Sequence, residues 1–238
     1  MTSKTKVFLA YDERMTLHRP RIMTEDTESS DFNYERPSRL LAVYNALMDL
    51  EDRLVAEQSK DDIHLHTLIT GQEQVHSTSE AELCEECAHR RYLTDQRYVP
   101  LEVLPASREI ICRVHSEEHY EFMKRTATLS EKELDKLTEE SEDLYFCRDT
   151  FGAALLAVGG CVAAVEAVTA PFRVSRRAMA LVRPPAHHAT RDSAMGKSVL
   201  NYDRHCYNIK NAKPTYSRLY TSILTVLSPI PNFRLLLL

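Results

Sequence analysis

The sequence predicts a single α/β domain built on a parallel sheet, and three features carry that reading. A short apolar run, Val7-Phe8-Leu9-Ala10, is closed by Asp12 and Glu13, as a buried strand running into a loop would be. Helical patterns recur between residues 37 and 169. A second apolar run, Ala178–Val182, ends on Arg183-Pro184-Pro185, so a strand delivers polar residues at its carboxyl end, where open α/β sheets gather their sites. A length of 238 residues suits one core of this kind.

The elements follow in order. From Pro37, apolar residues recur at helical spacing through Leu40, Leu41, Val43, Tyr44, Leu47 and Leu50, with Pro37 where a first-turn proline is tolerated. Residues 55–95 are polar, rich in His and Glu, and read as an insertion or extended loop. Ser107 caps a helix expected to run to about Arg125. Ser130-Glu131-Lys132-Glu133 has capping-box spacing and starts another. Thr150–Thr169 is Ala-rich and apolar on nearly every face, the pattern of a helix packed on both sides.

Composition excludes several classes. The net charge of −5 is uneven: residues 197–238 hold six Lys/Arg and one acid, leaving 24 basic and 34 acidic groups in residues 1–196. No basic stripe is offered to a phosphate backbone, so direct nucleic-acid binding is not expected. The apolar run Phe151–Val165 falls short of the roughly 20 residues that span a bilayer, so no membrane partner is expected. Six cysteines without a secretory leader suggest a reducing, intracellular setting.

The motif with most chemical content is Arg183-Pro184-Pro185-Ala186-His187-His188-Ala189. Prolines stiffen a loop that aims two adjacent imidazoles. Six of its seven positions match the Arg-Pro-Pro-Gly-His-His-Ala signature of the histone deacetylases, with Ala186 in place of glycine. The preceding segments fit as well: His115-Ser116-Glu117-Glu118-His119-Tyr120 resembles the family's "HS-x-x-HY" helix, and Tyr34-Glu35-Arg36-Pro37-Ser38-Arg39 its early "HPE-x-P-x-R" segment. Leu129–Tyr145 is most similar to the fungal class II, Hda1-like subgroup. The resemblance covers roughly residues 7–196, as the amino-terminal half of such a domain, and it implies the arginase and deacetylase type of three-layer αβα fold with a parallel sheet, here truncated.

It also implies a function. In the family a zinc ion polarises an acetyl-lysine carbonyl and activates a water, while the tandem histidines move protons. Carried over, His187 orients and stabilises and His188 takes the proton. Asp143 falls where related enzymes keep a substrate-gripping residue at the pocket rim. The implied substrates are acetylated histone tails or other acetyl-lysine proteins, in a nuclear or cytoplasmic chromatin regulator that represses transcription.

The family's later "D-x-D-x-H-H-G" strand, third ligand Asp and Gly-Gly-Tyr have no counterpart in the sequence. Three protein ligands are needed for a zinc site of that type, so no metal site and no activity are expected of this chain as it stands. Free water has a pKa of about 15.7 and needs the ion to approach 7. Asp203-Arg204-His205 has the spacing of two zinc ligands but follows His188 too closely to be that strand, and residues 197–238 are expected to lie outside the fold. Three other groups read as structural: His115 and His119 as helix packing, Cys84-x-x-Cys87 with His76 and His89 as incidental, and the acids of Glu131–Asp143 as a solvated face. The alternative function is a non-catalytic binding or scaffold fragment that keeps surfaces for deacetylase-complex subunits. A third reading, polyamine or small-amide deacetylation on the same scaffold, is less favoured by the fungal class II likeness.

Overall fold

The computed structural model of the chain describes residues 6–20, 36–70, 96–141, 143–172, 174–211 and 223–225. Four strands form one parallel sheet: β1 (Val7–Ala10), β2 (Tyr98–Leu101), β3 (Ala178–Val182) and β4 (Ile223–Thr225), in the order β2-β1-β3-β4. Phe8 lies opposite both Val99 and Ala178, and Ala180 opposite Ile223. β1 and β3 are the predicted strands. β2 escaped prediction because Pro100 interrupts it. Among the described residues β2 lies at the sheet edge and pairs only with β1, the position where a strand tolerates proline.

α1 (Pro37–Thr70) starts where predicted and continues well past residue 55, so the expected insertion is helical to Thr70. Leu40 and Leu47 are buried and Tyr44 stacks on Tyr11 at 4.0 Å. The Cys84-x-x-Cys87 group with His76 and His89 lies outside the described residues, as do Tyr34 and Glu35. The single helix expected from Ser107 divides into α2 (Arg108–Ile111) and α3 (Glu117–Thr126). The break has a long-range cause: the Ser116 amide donates to the Arg191 carbonyl at 3.0 Å instead of continuing the helical ladder. Ser116 then caps α3, its Oγ accepting from the His119 amide at 3.3 Å.

α4 (Glu131–Glu139) begins at the predicted capping box, where the Ser130 amide and Oγ both reach the Glu133 carboxylate, at 2.8 and 2.6 Å. α5 (Thr150–Thr169) is the central helix, packed on β1, β3 and the 3-10 turn Glu13–Leu17. It is longer than the apolar stretch read from sequence and apolar enough to cross a membrane by length and composition, yet 72% of its most apolar window is buried in the fold. Gly159 lets the segment after β2 press against it: a Cβ there would lie 1.8 Å from the Leu104 carbonyl oxygen.

The expected boundary at Gly196 is not a packing boundary. Val199, Leu200, Tyr202 and Cys206 are buried in the same core as α5, and α6 (Tyr202–Asn211) packs along that helix. Residues 223–225 extend the sheet as β4. The charge contrast of residues 197–238 averaged a cationic composition over an apolar segment and hid it.

Candidate functional site: the loop after the third strand

The order β2-β1-β3 means that chain direction across the sheet switches between β1 and β3. At such a switch the crevice beyond the carboxyl ends is where open α/β folds bind ligands. The 3-10 turn leaves β1 on one side and Arg183 opens the loop from β3 on the other. Arg183 is buried and ties the two together: Nη1 donates to the Met15 carbonyl at 2.9 Å and to the His18 carbonyl, and Nη2 donates to the Tyr145 hydroxyl at 2.8 Å. His18, itself buried, stacks on Tyr145 at 4.4 Å and meets the Thr150 hydroxyl at 3.0 Å through Nδ1. Carbonyls and a phenol thus satisfy the guanidinium, which keeps its charge inside the protein tolerable.

Beyond it Pro184, Pro185 and Ala186 are buried, and the chain then emerges. His187 and His188 are exposed, with ring centroids 3.8 Å apart at 49°. Ala186 is fully enclosed. The left-handed conformation of this region falls instead at Gly196, φ 56°, where a Cβ would press on the His188 ring at 3.3 Å.

A polar cradle under the loop holds the backbone that carries both imidazoles. Asn201 Nδ2 donates to the carbonyls of Ala189, at 2.8 Å, and His187, at 3.5 Å. The His188 amide donates to Ser198 Oγ at 3.3 Å, and the Tyr202 hydroxyl to the Pro184 carbonyl at 3.4 Å. Deeper still, His115 Nε2 accepts from the Asn201 amide at 2.9 Å, so Nδ1 carries the proton and donates to the Arg191 carbonyl at 3.2 Å. His119 Nε2 donates to the Val199 carbonyl at 2.8 Å. His115 and His119 therefore act as buried braces, their rings 5.0 Å apart. Burial pushes the His115 pKa down to about 4, with His119 adding to it, and burial lowers His119 as well.

Asp203 and His205 share the first turns of α6 but face different neighbours. Asp203 is half-buried; burial raises its pKa while the charge of His187 pulls it back. His205 is buried 6.1 Å from the His115 ring, its Nε2 without a partner, and burial followed by His115 depresses its pKa to about 4. Asp143 is exposed, on the segment that leads to Tyr145. The structure thus brings His187 and His188 together and leaves Asp143 on the surface. Sequence reasoning missed Asn201 and Ser198, and weighed Asp203 only as a coincidental zinc-ligand spacing; an Asn immediately before a helix is a capping signal that could have drawn attention to the first.

Among the described residues no three His, Cys, Asp or Glu side chains converge as a metal site. The side chains present, two exposed imidazoles with one half-buried carboxylate nearby, do not fit the zinc on which the family generally depends.

Comparison with known proteins places this architecture. The histone deacetylase domain profile matches residues 73–204. Histone deacetylase HDA1 of Saccharomyces cerevisiae is 30% identical over 194 residues, which are 82% of this chain and 23% of that protein. Polyamine deacetylase HDAC10 of Rattus norvegicus is 38% identical over 107 residues, 45% of this chain and 18% of that protein. The crystal structure of an HDA15 HD domain superposes with a TM-score of 0.55 at 21% identity, over 87% of this chain and 43% of that one. The fold is accordingly the α/β fold of the deacetylases. The chain belongs to the histone deacetylase family, and it spans under a quarter of the length of these two curated relatives.

Proposed function

We propose that the chain is part of a zinc-dependent lysine deacetylase domain, contributing the tandem-histidine loop at its switch-point crevice, and that on its own it neither holds zinc nor hydrolyses amides. The carrying observation is the set of bonds from Asn201, Ser198 and His115 that holds the backbone bearing the adjacent, exposed His187 and His188. Such fixing is what proton transfer at a reacting centre requires. In the intact domain His187 orients and stabilises, His188 takes a proton from water, and Asp143 grips the substrate backbone at the rim. Acetylated histone tails and other acetyl-lysine proteins are the substrates this reading favours, in the nucleus or cytoplasm. Polyamine substrates remain the less favoured reading, although several relatives carry that name. Residues 1–196 belong to the deacetylase domain, and the segment through Cys206 is packed with them.

Hydrolysis of a fluorogenic acetyl-lysine peptide by the purified chain with added zinc tests the reading. No turnover is expected. Zinc-dependent turnover that disappears in His188→Ala would overturn it. The alternative is a non-catalytic module that keeps partner surfaces for deacetylase-complex subunits. Co-purification of such subunits with the chain, unchanged by His188→Ala, separates it from an inert fragment.

A further inference from the structure

Away from the tandem histidines, a cleft of about 390 Å³ opens between α3, α4 and residues 192–194. Its floor is apolar: Phe122, Leu137 and Leu144 are half-buried and Phe146 is buried, with Phe122 and Phe146 meeting edge to face at 6.3 Å. Its rim is anionic, with Glu118 from α3, Glu140 from the end of α4 and Asp192 from the loop. Among the described residues no lysine or arginine lines it. The imidazole in the wall among these residues is His119, which donates to Val199 from Nε2 and whose pKa burial lowers.

These carboxylates are poorly compensated. Glu140 reaches Lys136 at 3.7 Å and Asp192 reaches the Arg191 guanidinium at 4.0 Å, both between exposed groups, where such pairs contribute little. Glu118 has no ion pair among the described residues. Beyond Phe122 the surface changes sign: Arg125 lies 5.9 Å over that ring and Lys124 pairs with Glu121 at 3.8 Å. A cationic occupant is therefore directed toward α4 and the 192–194 loop.

We propose that this cleft is a docking site for a basic peptide segment in which a lysine or arginine is flanked by an apolar residue. The apolar floor takes the aliphatic stem and the neighbouring side chain, while the three carboxylates hold the cationic head. The volume falls in the range of side-chain-sized ligand pockets. Charge complementarity selects the occupant: acetylating the lysine removes the head group, so the site reads unmodified lysine. It does not depend on whether the chain hydrolyses anything, because none of the tandem-histidine residues lines it.

Fluorescence anisotropy with a short fluorescein-labelled Lys/Leu peptide tests the site, using the folded chain as judged by its thermal transition. The triple variant Glu118→Gln/Glu140→Gln/Asp192→Asn is expected to bind about tenfold more weakly, from three exposed charge contacts of ordinary strength. The control Asp52→Asn/Glu57→Gln/Glu102→Gln removes the same charge elsewhere and should change binding less than about twofold. Ala194→Arg, which sets a cation into the cleft wall from a loop, should abolish binding, and so should acetylation of the peptide lysines. Equal weakening in both triple variants would reduce the effect to the general field of an acidic protein and overturn the proposal. Unchanged binding in the cleft triple, or self-association of the chain that Ala194→Arg disrupts, would overturn it as well.

Discussion

Gly159→Ala is the sharpest probe of how α5 carries the site. A methyl group there would stand 1.8 Å from the Leu104 carbonyl oxygen, 3.0 Å from its carbon and 3.3 Å from the Ala106 nitrogen, all backbone atoms. No rotamer change relieves such a contact, so either α5 or the 102–106 segment moves by more than about 1 Å. That movement breaks the Ala106 amide bond to the Leu155 carbonyl, 2.9 Å long. Overpacking costs about 1–3 kcal/mol and the lost bond about 1 kcal/mol more, so a destabilisation of about 3 kcal/mol is expected. The next residue is the control. At Gly160 a Cβ meets Val182, Val103 and Ala10 at 3.5–3.7 Å, ordinary contact distances, so Gly160→Ala should not destabilise and should add up to about 1 kcal/mol through helix propensity. At Gly152 nothing lies within 4 Å, and alanine should add about 1 kcal/mol through helix propensity. Thermal unfolding followed by circular dichroism reads all three. For a chain of this size, expected shifts are a fall of about 6–12 °C for Gly159→Ala and a rise of about 2–4 °C for Gly152→Ala. If Gly160→Ala unfolded the protein and Gly159→Ala did not, α5 would be rotated by one residue from the register described, and the reasoning would fail.

Two further outcomes concern the loop itself. His115 and His205 are held near pKa 4, below the ordinary 6.5, so the unfolded chain binds protons that the folded chain refuses. Their contribution to stability is intact above pH 6.5 and is lost as pH falls from 6.5 to 4, by about 3 kcal/mol for each group; denaturant midpoints across that window should fall steadily, and less steeply in His205→Leu. Asn201→Ala removes the bonds to Ala189 and His187 together with the cap that Oδ1 gives the Arg204 amide at 3.2 Å. It should cost about 1–3 kcal/mol and speed amide exchange at His188 and Ala189, whereas protection unchanged from wild type would mean that the cradle does not hold the loop.

Much of the fold was legible because its signals are local. Pro37, Ser107 and Ser130 mark helix starts by capping chemistry that operates within a few residues. Val7–Ala10 and Ala178–Val182 are apolar runs too short to be much else. What escaped depends on distance in sequence. The split between α2 and α3 is set by a bond from Ser116 to Arg191, and no window around Ser116 contains its partner. The core role of Val199, Leu200 and Tyr202 was masked by counting charge over the whole of residues 197–238. At the site, the tandem histidines were visible because motif and loop stiffness coincide. Asn201 was not, since its value lies in four contacts to Ala189, His187, His115 and Arg204 that exist only after folding.

The contacts that hold the loop separate its geometry from its chemistry. Arg183 is fixed by carbonyls of the turn after β1, and the segment from Ala189 to Asn201 by His115 and His119 on the far side of the core. None of these bonds involves the exposed rings of His187 or His188. The loop path is therefore set independently of those rings, and replacing either ring should leave it unchanged. His115 supports the loop as a neutral imidazole, accepting from the Asn201 amide at Nε2 and donating to the Arg191 carbonyl from Nδ1. That arrangement holds only while His115 stays unprotonated, and because burial holds its pKa near 4, acid loosens the loop from beneath only as pH falls toward that value.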